Sequence, residues 1–402
     1  MLKLRGKTLA LKKSAVEPCL LKVTKDPSLP ARIRPQYALL LDIANFEQIE
    51  GFGAVLVRAD VEADVAAQSL ASDIYQLGED YAYLAEGDIV RLNPSQDSLS
   101  VLFRVNSNSN TILLTEQCNH YCLMCSQPPR KVDDFWILEE VFDLIRMIPE
   151  GTPSLGFSGG EPTLYGDRFI ALVQHVKCHL PRTRIDILTN GRAFHDPAFA
   201  RKLGQVGHPN LTLGIPLYSD DPVRHDYVVQ APGAFDETVK GILNLRASGV
   251  RVEIRVVVHR ETLPRLVQTC RFIARNLLFV HHVALMGLEI TGFTRANLDK
   301  LWVDPHEYRD TLSEAAGVLT AYGMKASIYN HQLCLVNDDL RPIYRKSISD
   351  WKNEYLDACS TCEQRNDCGG FFSSAVQYRH SAHIRPMRAQ KQASSPLVEQ
   401  PE

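Results

Sequence analysis

Apolar and polar positions follow two different patterns along the chain, and the change comes near residue 106. Before it, short apolar runs at 37–42 and 53–57, a turn entering a strand at 85–94, and a further run at 100–105 predict strands. Residues 1–105 therefore read as a small mixed or β-rich module, ended by the polar linker Asn106-Ser-Asn-Ser-Asn110. Beyond it, strand candidates at 111–116, 153–157, 184–189, 211–218, 250–258 and 282–288 alternate with helical windows. Leu138, Val141, Phe142 and Ile145 repeat at helical spacing, as do Phe169, Leu172, Val173 and Val176. Val239, Ile242 and Leu243 predict a third helix face, stopped by Gly249. Cys270, in helical register with Leu263, Leu266 and Val267, reads as a buried, inert thiol. Six such units predict an α/β fold in which helices cover a parallel sheet. In 251–258 the alternation sends Val252, Ile254, Val256 and Val258 under the helices. Glu253 and Arg255 then face the interior, where charges need partners.

After 290 the alternation fades. A helix is expected over Asp304–Tyr322, with Leu312, Ala315, Ala316 and Leu319 on one face, and a strand over 324–329. From 376 onward the chain is polar and reads as a disordered tail. The resulting division is 1–105, a core over 109–292, an extension over 293–375, and the tail 376–402.

Composition removes several functional classes. The 402 residues carry a net charge of −3, which gives no reason to expect nucleic-acid binding. No apolar run is long enough for a membrane span or a signal peptide, so the chain reads as cytoplasmic. Six of the ten cysteines fall in two tight groups, 118–125 and 359–368, a clustering that favours metal ligation over disulfides.

The first group, Cys118-Asn-His-Tyr-Cys122-Leu-Met-Cys125, follows the first core strand with spacing C-x3-C-x2-C. Thiolates select iron–sulfur clusters, zinc or copper(I), and three close ligands without a fourth suggest a metal with an open position. Ser158-Gly159-Gly160-Glu161-Pro162 follows the second strand, Asn190-Gly191 the third, and Tyr218-Ser219 the fourth. Barrel sites are built from such loops at the C-terminal strand ends. Asn190 and Ser219 are equally readable as turn residues, and Arg255 as half of an ion pair that plugs the interior. No general acid or base stands out; Tyr121, His120 and His225 are the nearest candidates.

C-x3-C-x2-C followed by Gly159-Gly160-Glu161-Pro162 resembles the radical S-adenosylmethionine (radical SAM) superfamily. Met124 departs from the aromatic residue usual before the third cysteine. The resemblance implies an open, partial (β/α)6 barrel, with Cys118, Cys122 and Cys125 holding a [4Fe-4S] cluster whose open iron is chelated by SAM. It also implies that Gly159, Gly160, Glu161 and Pro162 serve SAM's ammonium group or shape the loop, with Asn190, Ser219 and Arg255 as further SAM-site candidates. The implied chemistry is reductive cleavage of SAM to a 5′-deoxyadenosyl radical that abstracts a substrate hydrogen.

Cys359-Ser-Thr-Cys362-Glu-Gln-Arg-Asn-Asp-Cys368, spaced C-x2-C-x5-C, resembles the auxiliary-cluster (SPASM or twitch) extension of peptide-modifying radical SAM enzymes. Residue 372 is Phe and no cysteine follows Cys368, which favours one auxiliary Fe–S cluster with Cys334 as fourth ligand. Structural zinc is the rival there. The words Leu123–Pro129, Met286–Gly292 and Ser349–Asn353 are similar to the His-Xaa-Ser system maturases of the HxsC type, over about 85–373. That resemblance implies a peptide or protein substrate with His-Xaa-Ser repeats, a second radical SAM maturase, and a reductant such as flavodoxin or ferredoxin. The alternatives are a radical SAM enzyme acting on a small molecule or nucleoside, and a zinc-binding scaffold without redox chemistry.

Overall fold

The computed structural model describes residues 3–42, 50–58, 73–346, 353–371 and 378–388. The word Ser349–Asn353 therefore lies, apart from Asn353, outside the described residues, as does 389–402 of the stretch expected to be a tail.

In the N-terminal region, β1 (Arg5–Lys12), β2 (Cys19–Thr24), β3 (Tyr37–Leu41), β4 (Ala54–Val57), β5 (Ile74–Leu77), β6 (Ile89–Asn93) and β7 (Ser98–Phe103) close into a barrel. The order is β1-β5-β4-β3-β2-β6-β7. Strands β2 to β5 pair in parallel, whereas β1, β6 and β7 make antiparallel pairs. Closure removes the free edges that would otherwise recruit other chains. Leu21, Val23, Leu40, Leu56, Tyr75 and Val90 fill the interior. The Tyr81 hydroxyl, buried with them, donates to Leu99 O at 2.6 Å. The polar stretch 106–110 ends in a tied turn, because Asn110 Oδ1 accepts from Arg104 N while its Nδ2 donates to Arg104 O and Ser107 O.

The core follows as β8 (Asn110–Leu113), α1 (Phe135–Met147), β9 (Ser154–Ser158), α2 (Asp167–His179), β10 (Arg184–Leu188), α3 (Pro197–Val206), β11 (Leu211–Pro216), α4 (Pro222–Val229), α5 (Ala234–Ala247), β12 (Arg251–Val258), α6 (Leu266–Asn276) and β13 (His282–Gly287). Then come α7 (Phe293–Ala296), α8 (Leu298–Leu301), α9 (Pro305–Ala321) and β14 (Ala326–Tyr329). The strands β8 to β14 form one parallel sheet in sequence order, so all crossovers lie on the same face. The sheet has seven strands, since β14 pairs with β13 through Val283 and Ala326 and extends the six expected units by one.

Local sequence explains the helix starts. Asp196, Asp221 and Asp304 each accept from a first-turn N–H and each precede a proline. An Asp cap satisfies an orphan donor, and proline at the first position lacks only an N–H the helix does not use. One expected face is rotated. Helix α5 buries Phe235, Thr238, Ile242 and Leu245, while Leu243 is 45% exposed. The reason is steric: a Cβ at Gly241 would stand 2.2 Å from Gly191 O, so the helix turns its smallest residue to that loop.

The barrel and the core sheet share a hydrophobic cluster. Ile89 and Phe103 from the barrel pack into the cluster that contains Leu138 and Val141 of α1. Arg91 pairs with Glu140 at 2.9 Å and lies 4.1 Å above the Trp136 ring. At the other end, residues 378–388, part of the stretch expected to be a tail, pack against the molecule. Ser381 is buried, and the His383 ring stacks on His306 at 3.8 Å. Ring and cation contacts hold this segment, and a reading based on apolar content does not register them.

Candidate functional site

Because β8 to β11 are parallel and adjacent, the loops that follow them meet at one edge of the sheet. The cysteine loop and the Gly159–Pro162 loop are joined through the backbone. Gly160 N donates to Thr115 O at 2.8 Å, and Glu161 N donates to Gln117 O at 2.7 Å. Glycine is required here: a Cβ at 160 would stand 1.9 Å from Gln117 O and 3.1 Å from Cys118 Cβ. Gly159 has φ 152°, and a Cβ there would meet Thr115 O at 2.5 Å.

The rest of the cysteine loop is pinned from two sides. Tyr121 N and Leu123 N donate to Val229 O and Val228 O at the end of α4. Phe293 N donates to Cys125 O, Thr294 Oγ1 to Met124 O, and Asn297 Nδ2 to Leu123 O. Met124 is buried with Tyr218, Val228 and Val229, and Cys122 packs against this cluster.

Each remaining site candidate has a definite place. Glu161 is fully buried. Its Oε1 accepts from Thr163 N, Thr163 Oγ1 and Thr189 Oγ1, and its Oε2 accepts from Asn190 N at 2.6 Å. Burial pushes its pKa up, against those hydrogen bonds. The carboxylate thus fastens the loop after β9 to the end of β10. Pro162 opens the short turn that follows. Asn190 Nδ2 donates to Asn119 Oδ1 at 2.6 Å, which ties the third loop to the cysteine loop. Ser219 is buried, and its Oγ accepts from Asp221 N in a local turn.

Arg255 Nε donates to Glu253 Oε1 at 2.7 Å on the concave face. That pair continues through neighbours the sequence reading does not single out. Glu253 Oε2 meets His282 Nδ1 at 2.9 Å, and His282 Nε2 meets Ser327 Oγ at 2.9 Å. Burial opposes ionisation of Glu253, yet His282 and Arg255 hold its pKa down to about 2. The pairing of Glu253 with His282 across β12 and β13 is detectable in principle, since both occupy inward positions of their strands.

The acid–base candidates occupy different settings. Burial lowers His120 to about 3 and His225 to about 4, so both rings are neutral. His225 Nδ1 accepts from Tyr218 N, and Tyr121 is exposed.

Burial pushes the Cys118 thiol up to about 12 and raises Cys122 and Cys125 as well, and the charges of neighbouring thiols add to it at Cys118 and Cys122. Among the described residues, no three His, Cys, Asp or Glu side chains stand together at metal-ligand geometry. The donor set nevertheless suits a thiophilic cluster: three soft ligands lie on a loop whose backbone is already fixed.

The second group is brought together by the fold. Cys334, Cys359, Cys362 and Cys368 line one pocket, alongside Leu333, Phe371 and Met387. Cys368 Sγ accepts from Leu333 N at 3.3 Å and Gly370 N at 3.4 Å, and Cys362 Sγ accepts from Met387 N at 3.3 Å. N–H groups aimed at sulfur tune thiolate-bound clusters and favour the charged form. A Cβ at Gly369 would meet Lys346 O at 2.4 Å, and Gly370 has φ 59°, so the turn after Cys368 depends on glycine.

Residues 112–273 match the radical SAM superfamily. An AdoMet-dependent heme synthase from Nitratidesulfovibrio vulgaris is 26% identical over 204 residues, which cover 50% of this chain and 53% of that protein. An Fe-coproporphyrin III synthase from Methanosarcina barkeri is 30% identical over 156 residues, 37% of this chain and 37% of that protein. The chain thus spans about half or less of the length of these curated relatives. A crystal structure of Streptococcus suis SuiB bound to the precursor peptide SuiA is 16% identical, covers 56% of this chain and 49% of that chain, and has a TM-score of 0.43. No helix among the described residues is long and apolar enough to cross a membrane.

Proposed function

We propose that this chain is a radical SAM enzyme that modifies a peptide or protein substrate, with His-Xaa-Ser repeats as the substrate class. The observation that carries the reading is the join between the Cys118–Cys125 loop and Gly159–Pro162, in which Gly160 lies too close to Gln117 and Cys118 for any side chain. Cys118, Cys122 and Cys125 would hold the catalytic [4Fe-4S] cluster. When bound, cluster and SAM supply a reductively generated, hydrogen-abstracting radical. The chain's own contribution is orientation and exclusion of water. Glu161 and Asn190 keep three loops in register. Arg255, already fixed by Glu253, directs its guanidinium into the concave face, where a carboxylate suits it. Cys334, Cys359, Cys362 and Cys368 would hold an auxiliary Fe–S cluster, for which four thiols in one pocket and their N–H donors are the support. A second maturase and a flavodoxin- or ferredoxin-like reductant complete the proposed system, and the proposed setting is the cytoplasm.

The test is iron and acid-labile sulfide per chain after anaerobic reconstitution, for the wild type and a Cys118/Cys122/Cys125→Ala triple variant. Two clusters predict about eight irons falling to about four. About four falling to none would leave one catalytic cluster and make the C-terminal site zinc, while no iron in either chain would overturn the reading.

A second reading takes a small molecule as substrate. The names of the two curated relatives, a heme synthase and an Fe-coproporphyrin III synthase, favour it. Binding measured against a His-Xaa-Ser peptide and against a carboxylate-bearing tetrapyrrole separates the two.

A further inference from the structure

The segment 378–388 reaches the four-cysteine pocket from outside the cysteine-rich loop. Ile384, Arg385 and Met387 line the pocket. Met387 N donates to Cys362 Sγ at 3.3 Å. Glu363 N donates to Met387 O at 3.0 Å, which fastens the segment to the turn between Cys362 and Cys368. The other end is anchored on the helices beyond the core sheet. Arg379 pairs with Asp299 at 3.4 Å and lies 5.2 Å above the Trp302 ring, and His383 stacks on His306.

We propose that residues 378–388 form a strap that completes the four-thiol metal site, donating the Met387 backbone N–H to Cys362 and covering one side of the pocket with Ile384, Arg385 and Met387. The proposal rests on the reading of Cys334, Cys359, Cys362 and Cys368 as metal ligands and adds a component from a different region of the chain. Donors from Leu333 and Gly370 serve Cys368 from within the cysteine-bearing loops. The strap supplies a donor to Cys362 that comes from outside the cysteine-bearing loops. Pro386, next to the donor Met387, restricts the backbone there and lowers the entropy lost when the strap seats.

The experiment uses the Cys118/Cys122/Cys125→Ala background, where bound metal reports the C-terminal site alone. Three chains are reconstituted: one full length, one ending at Arg388, and one ending at Gln377. Metal transfer to a colorimetric chelator is then timed. The chain ending at Arg388 should match full length. The chain ending at Gln377 should release metal about tenfold faster, as expected for the loss of a hydrogen bond to a thiolate together with the side chains that cover the pocket. An Arg379→Ala/His383→Ala variant, which keeps every residue of the chain, should also release faster. In a Cys334/Cys359/Cys362/Cys368→Ala background, truncation should leave release from the first site unchanged. Equal release from all C-terminal-site chains would overturn the strap while leaving the metal site intact. Absence of metal from the full-length triple variant would overturn the four-thiol reading, and the strap with it.

Discussion

Replacing Glu161 with glutamine separates two roles for the only acid in the glycine-rich loop. Each carboxylate oxygen accepts a backbone N–H that cannot turn away: Thr163 N reaches Oε1 at 3.0 Å and Asn190 N reaches Oε2 at 2.6 Å. The hydroxyls of Thr163 and Thr189 can rotate, but an amide has a single acceptor oxygen for two fixed donors. In either orientation, Glu161→Gln leaves one buried N–H facing an NH2 group, a loss of about 1–3 kcal/mol. Denaturant unfolding should show that loss at constant slope, with SAM affinity, measured well below the transition, within about threefold of wild type. If the carboxylate instead bound SAM's ammonium directly, the substitution would weaken SAM by about tenfold or more through a lost charge-assisted hydrogen bond. An unchanged midpoint with tenfold weaker SAM binding would refute the loop-fastening assignment.

Further outcomes follow from the same contacts. Gly160→Ala must force apart the backbones now joined by the Glu161 N to Gln117 O bond, and it should cost about 3 kcal/mol or more while lowering iron uptake at Cys118; normal iron content at wild-type stability would refute it. Glu253 has its pKa held at about 2 against an ordinary 4.5, a gain of about 3 kcal/mol that is present above the unfolded-state pKa and lost as pH falls from about 4.5 toward 2. Glu253→Gln should therefore lose stability at pH 7 and show a flatter pH dependence across that window; parallel profiles would count against the ion-pair chain. Arg91→Ala removes the pair with Glu140 and the contact over Trp136, and should cost about 1–3 kcal/mol and raise protease sensitivity in the 104–110 connection. Unchanged cleavage there would mean that the shared apolar core alone docks the barrel.

The sequence is most informative where one period dominates. Residues 251–258 alternate without a break, and Val252, Ile254, Val256 and Val258 are all buried. The helix at Pro305–Ala321 buries Leu312, Ala315, Ala316 and Leu319. The loops at the strand ends can be ordered because a parallel sheet leaves them no other edge to meet on. Interactions that depend on partners far along the chain are less legible. Nothing near Glu161 announces Thr189, and nothing near Glu253 announces Ser327, because these hydrogen bonds exist only once the sheet register is set. Helices α3 and α4 are short and escape periodicity, although Asp196-Pro197 and Asp221-Pro222 mark their starts. The segment 378–388 reads as disordered because stacking and cation–π contacts leave little trace in hydropathy.

One short piece of chain connects the two cysteine groups. Gly292, with φ 52°, has no space for a Cβ, which would stand 2.3 Å from Cys125 O. From there residues 293–297 give hydrogen bonds to the carbonyls of Leu123, Met124 and Cys125. The same piece of chain meets the C-terminal segment, with Arg295 5.2 Å above the Tyr378 ring and Asp299 paired with Arg379. Packed elements move as units, so a displacement of this bracket would disturb three carbonyls of the first loop and the anchors of the second together. The bracket therefore fixes the separation of the two cysteine groups. A long flexible connection would leave that separation to the entropy of the linker. Here nine residues, 293–301, in contact with both sides, replace it with geometry.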